Sequence, residues 1–80
     1  MGKTNIKIVF GNSVKFWREQ LGLTQTELAA RTGLQRTYIS DVERGGRNLS
    51  LESIERFAAA LQVTIPALFK AVEPADGGRK

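Results

Sequence analysis

The chain has 80 residues, twelve of them lysine or arginine and eight aspartate or glutamate, which leaves a formal charge of +4. It contains no cysteine and no histidine, which excludes disulfides, thiolate nucleophiles, imidazole bases and the usual zinc ligands. A domain of this length buries only about 60% of the surface its unfolded chain exposes, too little to enclose a sizeable pocket, and its surplus of cations favours polyanionic partners.

Apolar residues at Ile6, Val9, Phe10, Val14, Trp17 and Leu21 recur every three or four positions, which predicts a first helix from Asn5 to Leu21. Gly11 inside that run costs about 1 kcal/mol relative to alanine, so a break or a later start near residue 11 is the alternative. Trp17 falls on the apolar face and reads as core, since base stacking would need it exposed. Gly22 supplies the left-handed position that closes the helix.

Thr24-Gln25-Thr26-Glu27 has the form of a capping box. In it the Thr24 hydroxyl accepts from the Glu27 amide while the Glu27 carboxylate accepts from the Thr24 amide. A second helix of two turns starts there, turns Leu28 and Ala29 toward the core, and ends near Thr32 before Gly33. After Leu34 a third helix is expected from Gln35 to about Arg44, with Tyr38, Ile39 and Val42 as its apolar positions and Gly45-Gly46 as its stop.

Ser50 is a good N-cap for a fourth helix, whose apolar stripe of Leu51, Ile54, Phe57, Ala58 and Leu61 is wide enough to serve both core and partner. Thr64 caps a short fifth helix that tolerates Pro66 in its first turn and carries Leu68, Phe69 and Val72. Residues 73–80 lack periodicity and read as a disordered tail, leaving one domain over residues 1–72. The apolar run Ile8-Val9-Phe10 is far too short for a signal or a membrane span, so the expected home is the cytoplasm and no membrane partner is expected. The expected architecture is all-α, five helices around one core. No cofactor, metal, small-molecule ligand or catalytic site is expected, because eight scattered carboxylates without histidine form no recognisable acid–base or metal set.

The most informative stretch is LTQTELAARTGLQRTYISDVERG, two short helices joined at Gly33. Ala29, Gly33, Ile39 and Val42 supply the small or apolar side chains that a steep crossing of two helices needs. Together with GLTQTELA, YISDVERG and NLSLESIERFAAALQV, this unit resembles the Cro/C1-type (xenobiotic-response-element) family of bacterial and phage regulators over about residues 10–69. Within that family, RTYIS followed by ERGGRNLSL resembles the controller proteins of restriction-modification systems.

The resemblance implies a compact λ-repressor-like fold that binds double-stranded DNA and regulates transcription. It places the N-terminal turn of the third helix in the major groove, so Gln35, Arg36, Thr37 and Tyr38 are the expected base contacts. Arg36 is the leading candidate, because a guanidinium can bridge O6 and N7 of guanine. Thr37 can offer a methyl or a hydroxyl, while Tyr38 could do either job or simply pack. Gln25, Arg44, Arg47 and Asn48 are the expected backbone contacts, although a cation at the position of Arg44 is favourable for helix-dipole reasons alone.

Asp41 could accept from a cytosine N4 but would repel phosphates, and reads as an exposed residue at the rim. Glu43 and Arg18 stand where relatives place an ion pair. The family pairs subunits through its C-terminal helices, which makes Leu61, Val63, Ile65, Leu68 and Phe69 the expected homodimer interface, with core packing as the alternative for Leu61 and Leu68. Two recognition helices then meet half-sites about 34 Å apart on a pseudo-palindromic operator. The competing possibility is a protein-interaction module, an antitoxin-like or adaptor helix-turn-helix whose basic face meets an acidic partner.

Overall fold

The computed structural model describes residues 5–70 as five α-helices and, within that span, no strand. They are α1 (Ile6–Gln20), α2 (Gln25–Thr32), α3 (Arg36–Glu43), α4 (Leu51–Leu61) and α5 (Ile65–Leu68). Each helix contributes to one core: Phe10 and Val14 from α1, Leu28 and Ala29 from α2, Ile39 and Val42 from α3, Phe57, Ala58 and Leu61 from α4, and Leu68 from α5. Phe10 is the aromatic hinge of this core, meeting Phe57 edge-on at 5.8 Å and Phe69 at 5.1 Å between ring centroids.

The helix starts are set by local chemistry. Asn5 accepts from the Lys7 amide, Ser50 from the Ser53 amide and Thr64 from the Ala67 amide. The capping box closes reciprocally: Glu27 N–H donates to the Thr24 hydroxyl at 3.0 Å and Thr24 N–H to the Glu27 carboxylate at 2.8 Å. The ends of α2 and α5 are tied to other helices. Arg56 on α4 donates to the Thr32 carbonyl at 3.4 Å, and the buried Ser13 hydroxyl on α1 donates to the Lys70 carbonyl at 2.9 Å.

Helix α1 runs unbroken through Gly11, and the reason lies in another helix. A Cβ at that position would sit 2.2 Å from the Val42 carbonyl oxygen and 3.0 Å from that of Glu43. Glycine therefore lets α1 lie directly against the C-terminal end of α3, and this approach offsets the cost in helix propensity.

Two expectations about the C-terminal segment change. Leu61 and Leu68 are 1% and 0% exposed within a single chain, so both are core residues and have no surface to offer a partner. Helix α5 is only one turn long, with Phe69 as its C-cap, while Val72 and residues 73–80 lie outside the described residues. Trp17 packs against the core as expected, and its ring meets Phe16 edge-on at 5.0 Å.

Candidate nucleic-acid interface

Gly33 brings α2 and α3 together. It takes φ 76°, accepted at no steric cost by glycine, and Gly33 and Leu34 both donate to the Ala29 carbonyl. Buried Thr32 tightens the same bend: its hydroxyl donates within α2 and accepts from Leu34 N–H at 3.2 Å. Beyond the bend, Gln35, Arg36 and Thr37 are exposed, and Tyr38 is half-buried at the edge of the core.

Arg36 is positioned by a chain of polar side chains that begins in the interior. Arg18 on α1 donates through Nε and Nη2 to the two Glu43 oxygens at 2.6 and 3.0 Å, and through Nη1 to the Leu23 carbonyl at 2.7 Å. Glu43 also accepts from Gln25 Nε2 at 3.0 Å, and Gln25 Oε1 accepts from Arg36 Nη1 at 3.1 Å. The neighbours fix the amide: a carboxylate can only accept and a guanidinium can only donate, so the Gln25 NH2 must face Glu43 and its oxygen must face Arg36. The Glu43 hydrogen bonds raise the Arg18 guanidinium above its ordinary value, outweighing desolvation, which pushes it down.

A second cluster also lies at the C-terminal end of α3. The Asp41 carboxylate holds Arg44 through one oxygen and Arg47 through the other, the latter at 3.3 Å from both Nε and Nη2. Arg47 also lies 4.9 Å from the centroid of the Tyr38 ring, a cation–π distance. The loop backbone folds onto the same residue, with Gly46 N–H donating to the Asp41 carbonyl at 2.9 Å. Asp41 is therefore not an unattached rim residue: it ties the α3–α4 loop to the recognition surface.

The structure thus joins Gln25 to Arg36 and Tyr38 to Arg47, while Asn48 is exposed and lines a shallow groove with Arg47 and Lys7. Leu51 is a surface residue that sequence reasoning does not single out. It opens α4 and is 82% exposed, whereas the apolar stripe alone assigns it to the core as readily as to a partner. With Ile54, Ile65 and Phe69 it lines a groove of about 420 Å³, flanked by Glu52 and Glu55. Val63 is half-buried, so Ile65 and Phe69 are the expected interface residues that retain appreciable surface.

Two short helices set around a left-handed glycine, with exposed polar residues on the first turn of the second, define a helix-turn-helix DNA-binding domain. The chain belongs to the helix-turn-helix family, whose pattern matches residues 14–68. It is 44% identical over 70 residues to the control protein C.MunI of a Mycoplasma species, covering 86% of this chain and 95% of that one. The restriction-modification controller protein C.AhdI of Aeromonas hydrophila superposes with a TM-score of 0.76 at 41% identity, covering 79% of this chain and 96% of that one. SinR of Bacillus subtilis, solved in complex with DNA, superposes with a TM-score of 0.72 at 31% identity over 76% of this chain and 98% of that one.

Proposed function

We propose that the chain is a controller-type transcriptional regulator that binds a pseudo-palindromic operator as a homodimer. The observation that carries this reading is the Glu43–Gln25–Arg36 relay. A long, flexible, exposed cation on the first turn of α3 is held by a bond from the first turn of α2, so its entropy of ordering is partly met before DNA arrives. Arg36 reads a guanine edge, with Gln35, Thr37 and Tyr38 as its neighbours in the major groove. The free first-turn amides of α2, together with Gln25, Arg44, Arg47 and Asn48, meet phosphates and set register.

One α3 reads only a few base pairs, and a second copy doubles the site. The groove formed by Leu51, Ile54, Ile65 and Phe69 is the apolar surface for that pairing. The relatives are controllers and transcription regulators, which favours this reading over an adaptor module. Among the described residues no helix is long and apolar enough to cross a membrane, and the reading places the protein in the bacterial cytoplasm, at the chromosome.

Selection from a random duplex pool tests the reading directly: the expected result is a two-fold symmetric consensus. Arg36→Ala should abolish preference for that consensus while leaving weak binding to any duplex, and an undiminished preference would refute the assignment. Arg47→Ala should weaken binding to all sequences alike. Leu51→Glu should leave the fold intact, since Leu51 touches little of its own chain, and yield monomers in sedimentation. A dimer that survives Leu51→Glu places the interface elsewhere.

A further inference from the structure

Asp41 occupies an unexpected position for a protein whose partner is a polyanion. It lies on the recognition helix, yet its two oxygens are spent on Arg44 and Arg47, two of the cations assigned to phosphate. We propose that Asp41 is a specificity-determining residue that acts as an internal substitute for phosphate. It competes with DNA for Arg44 and Arg47 and thereby weakens binding to non-operator duplex. The inference rests on the DNA-binding reading above and adds a role for Asp41 that requires no base contact.

The geometry supports an exchangeable clamp. The side chains of Arg44 and Arg47 are 67% and 45% exposed and that of Asp41 is 32% exposed, so phosphate can approach either guanidinium while Asp41 still holds the other. Exposed ion pairs of this kind are weak enough to be traded for another anion of similar geometry. On non-specific duplex, each arginine must leave Asp41 to gain a phosphate, so the net gain in counterion release is small. On the operator, the major-groove contacts of the first turn add the energy that makes the exchange favourable. The second tether on Arg47, the face of Tyr38, links the loop to the base-reading surface, so the exchange and the readout occur at adjoining side chains.

A purely organising role makes the opposite prediction. If Asp41 only held the loop in shape for phosphate, its removal would weaken binding; if it competes, its removal strengthens it. The experiment measures the affinity of the full chain for a random-sequence duplex and for the selected consensus across a salt series, comparing wild type with Asp41→Asn, Asp41→Ala and Asp41→Glu. Asp41→Asn and Asp41→Ala should bind random duplex about three- to tenfold tighter, the range expected from releasing exposed pairs of ordinary strength. The plot of log affinity against log salt should steepen by about 1–2 for each protomer. The ratio of consensus to random affinity should fall.

Asp41→Glu should stay close to wild type. Adding Arg44→Ala and Arg47→Ala to Asp41→Asn should erase the gain, because no cation remains to be freed. Unchanged or weaker binding by Asp41→Asn with an unaltered slope overturns the proposal, as does an altered preference confined to one base pair, which would make Asp41 a base reader. A wild-type protein that binds no duplex removes the DNA-binding reading itself, a different and earlier failure.

Discussion

Glu43 and Asp41 stand close together near the end of α3, and each holds arginine, but they face different worlds. The Arg18–Glu43 pair lies in the seam between α1 and α3, with side chains 12% and 4% exposed, whereas Asp41, Arg44 and Arg47 are 32–67% exposed. The inner carboxylate is surrounded by fixed donors: two from Arg18 and one from Gln25. The outer one holds flexible side chains that water and salt can reach. Identical chemistry therefore has separate consequences: the buried pair secures how α1, α2 and α3 meet, and the exposed cluster remains free to exchange partners.

The largest test of this contrast removes the inner carboxylate. Glu43→Ala strands the Arg18 guanidinium in a nearly closed site and deprives Gln25 of its orienting acceptor, and should cost about 3–5 kcal/mol. That is a large share of the stability of so small a domain. The expected drop in Tm is more than about 10 °C, read by circular dichroism at fixed protein concentration. A loss below about 1 kcal/mol would put the inner pair in the same class as the outer one.

The pH dependence of that deficit sharpens the contrast. Glu43 raises the folded-state value of Arg18, and a raised basic group contributes fully below its unfolded value and loses its contribution only as pH rises through its folded one. The Arg18 contribution should therefore be flat from about pH 7 to about pH 10, well below the guanidinium range. A deficit that shrinks across that interval would mean another group controls the seam.

Removing the outer carboxylate should be almost silent for stability. Asp41→Asn loses exposed pairs worth about 0.2–1 kcal/mol each and gains slightly by removing a negative charge from the C-terminal half of a helix. Its Tm should move by only a few degrees, and at about 1 M salt, where screening reaches about 3 Å, the difference should vanish. The Glu43→Ala deficit should persist in the same salt. Equal salt sensitivity of the two would contradict their assignment to buried and exposed regions.

How much of this is legible in the sequence follows the same division between local and long-range causes. The Thr24–Glu27 capping box, the glycine bend at Gly33 and the Ser50 cap are written in neighbouring residues, and the structure places them where the spacing does. Gly11 reads as a weakness of α1 because its reason, the Val42 carbonyl oxygen 2.2 Å from where a Cβ would sit, belongs to a helix far along the chain. Leu61 and Leu68 share the helical periodicity of a surface stripe, and periodicity reports a face without saying what covers it. Exposed Leu51 is hidden in the pattern for the same reason. The Asp41–Arg44 spacing of one helical turn is visible, but the return of Arg47 to the same carboxylate depends on how the α3–α4 loop folds back.

The smallest expected effect comes from a position outside both clusters. Gln62 caps α4 in the left-handed region at φ 60°, ψ 41°, where its N–H and that of Val63 close onto carbonyls of the last turn. A non-glycine residue there carries roughly 1 kcal/mol of steric cost, which Gln62→Gly would relieve. Part of that gain is returned because glycine also enlarges the freedom of the unfolded chain. The net expectation is a stabilisation of about 0.5 kcal/mol, a rise of about 2–4 °C in Tm. Since no charge changes, the gain should be the same in low and high salt; a gain that appears only at low salt would show that the charge balance at the end of α4, rather than backbone strain, sets the energy of this cap.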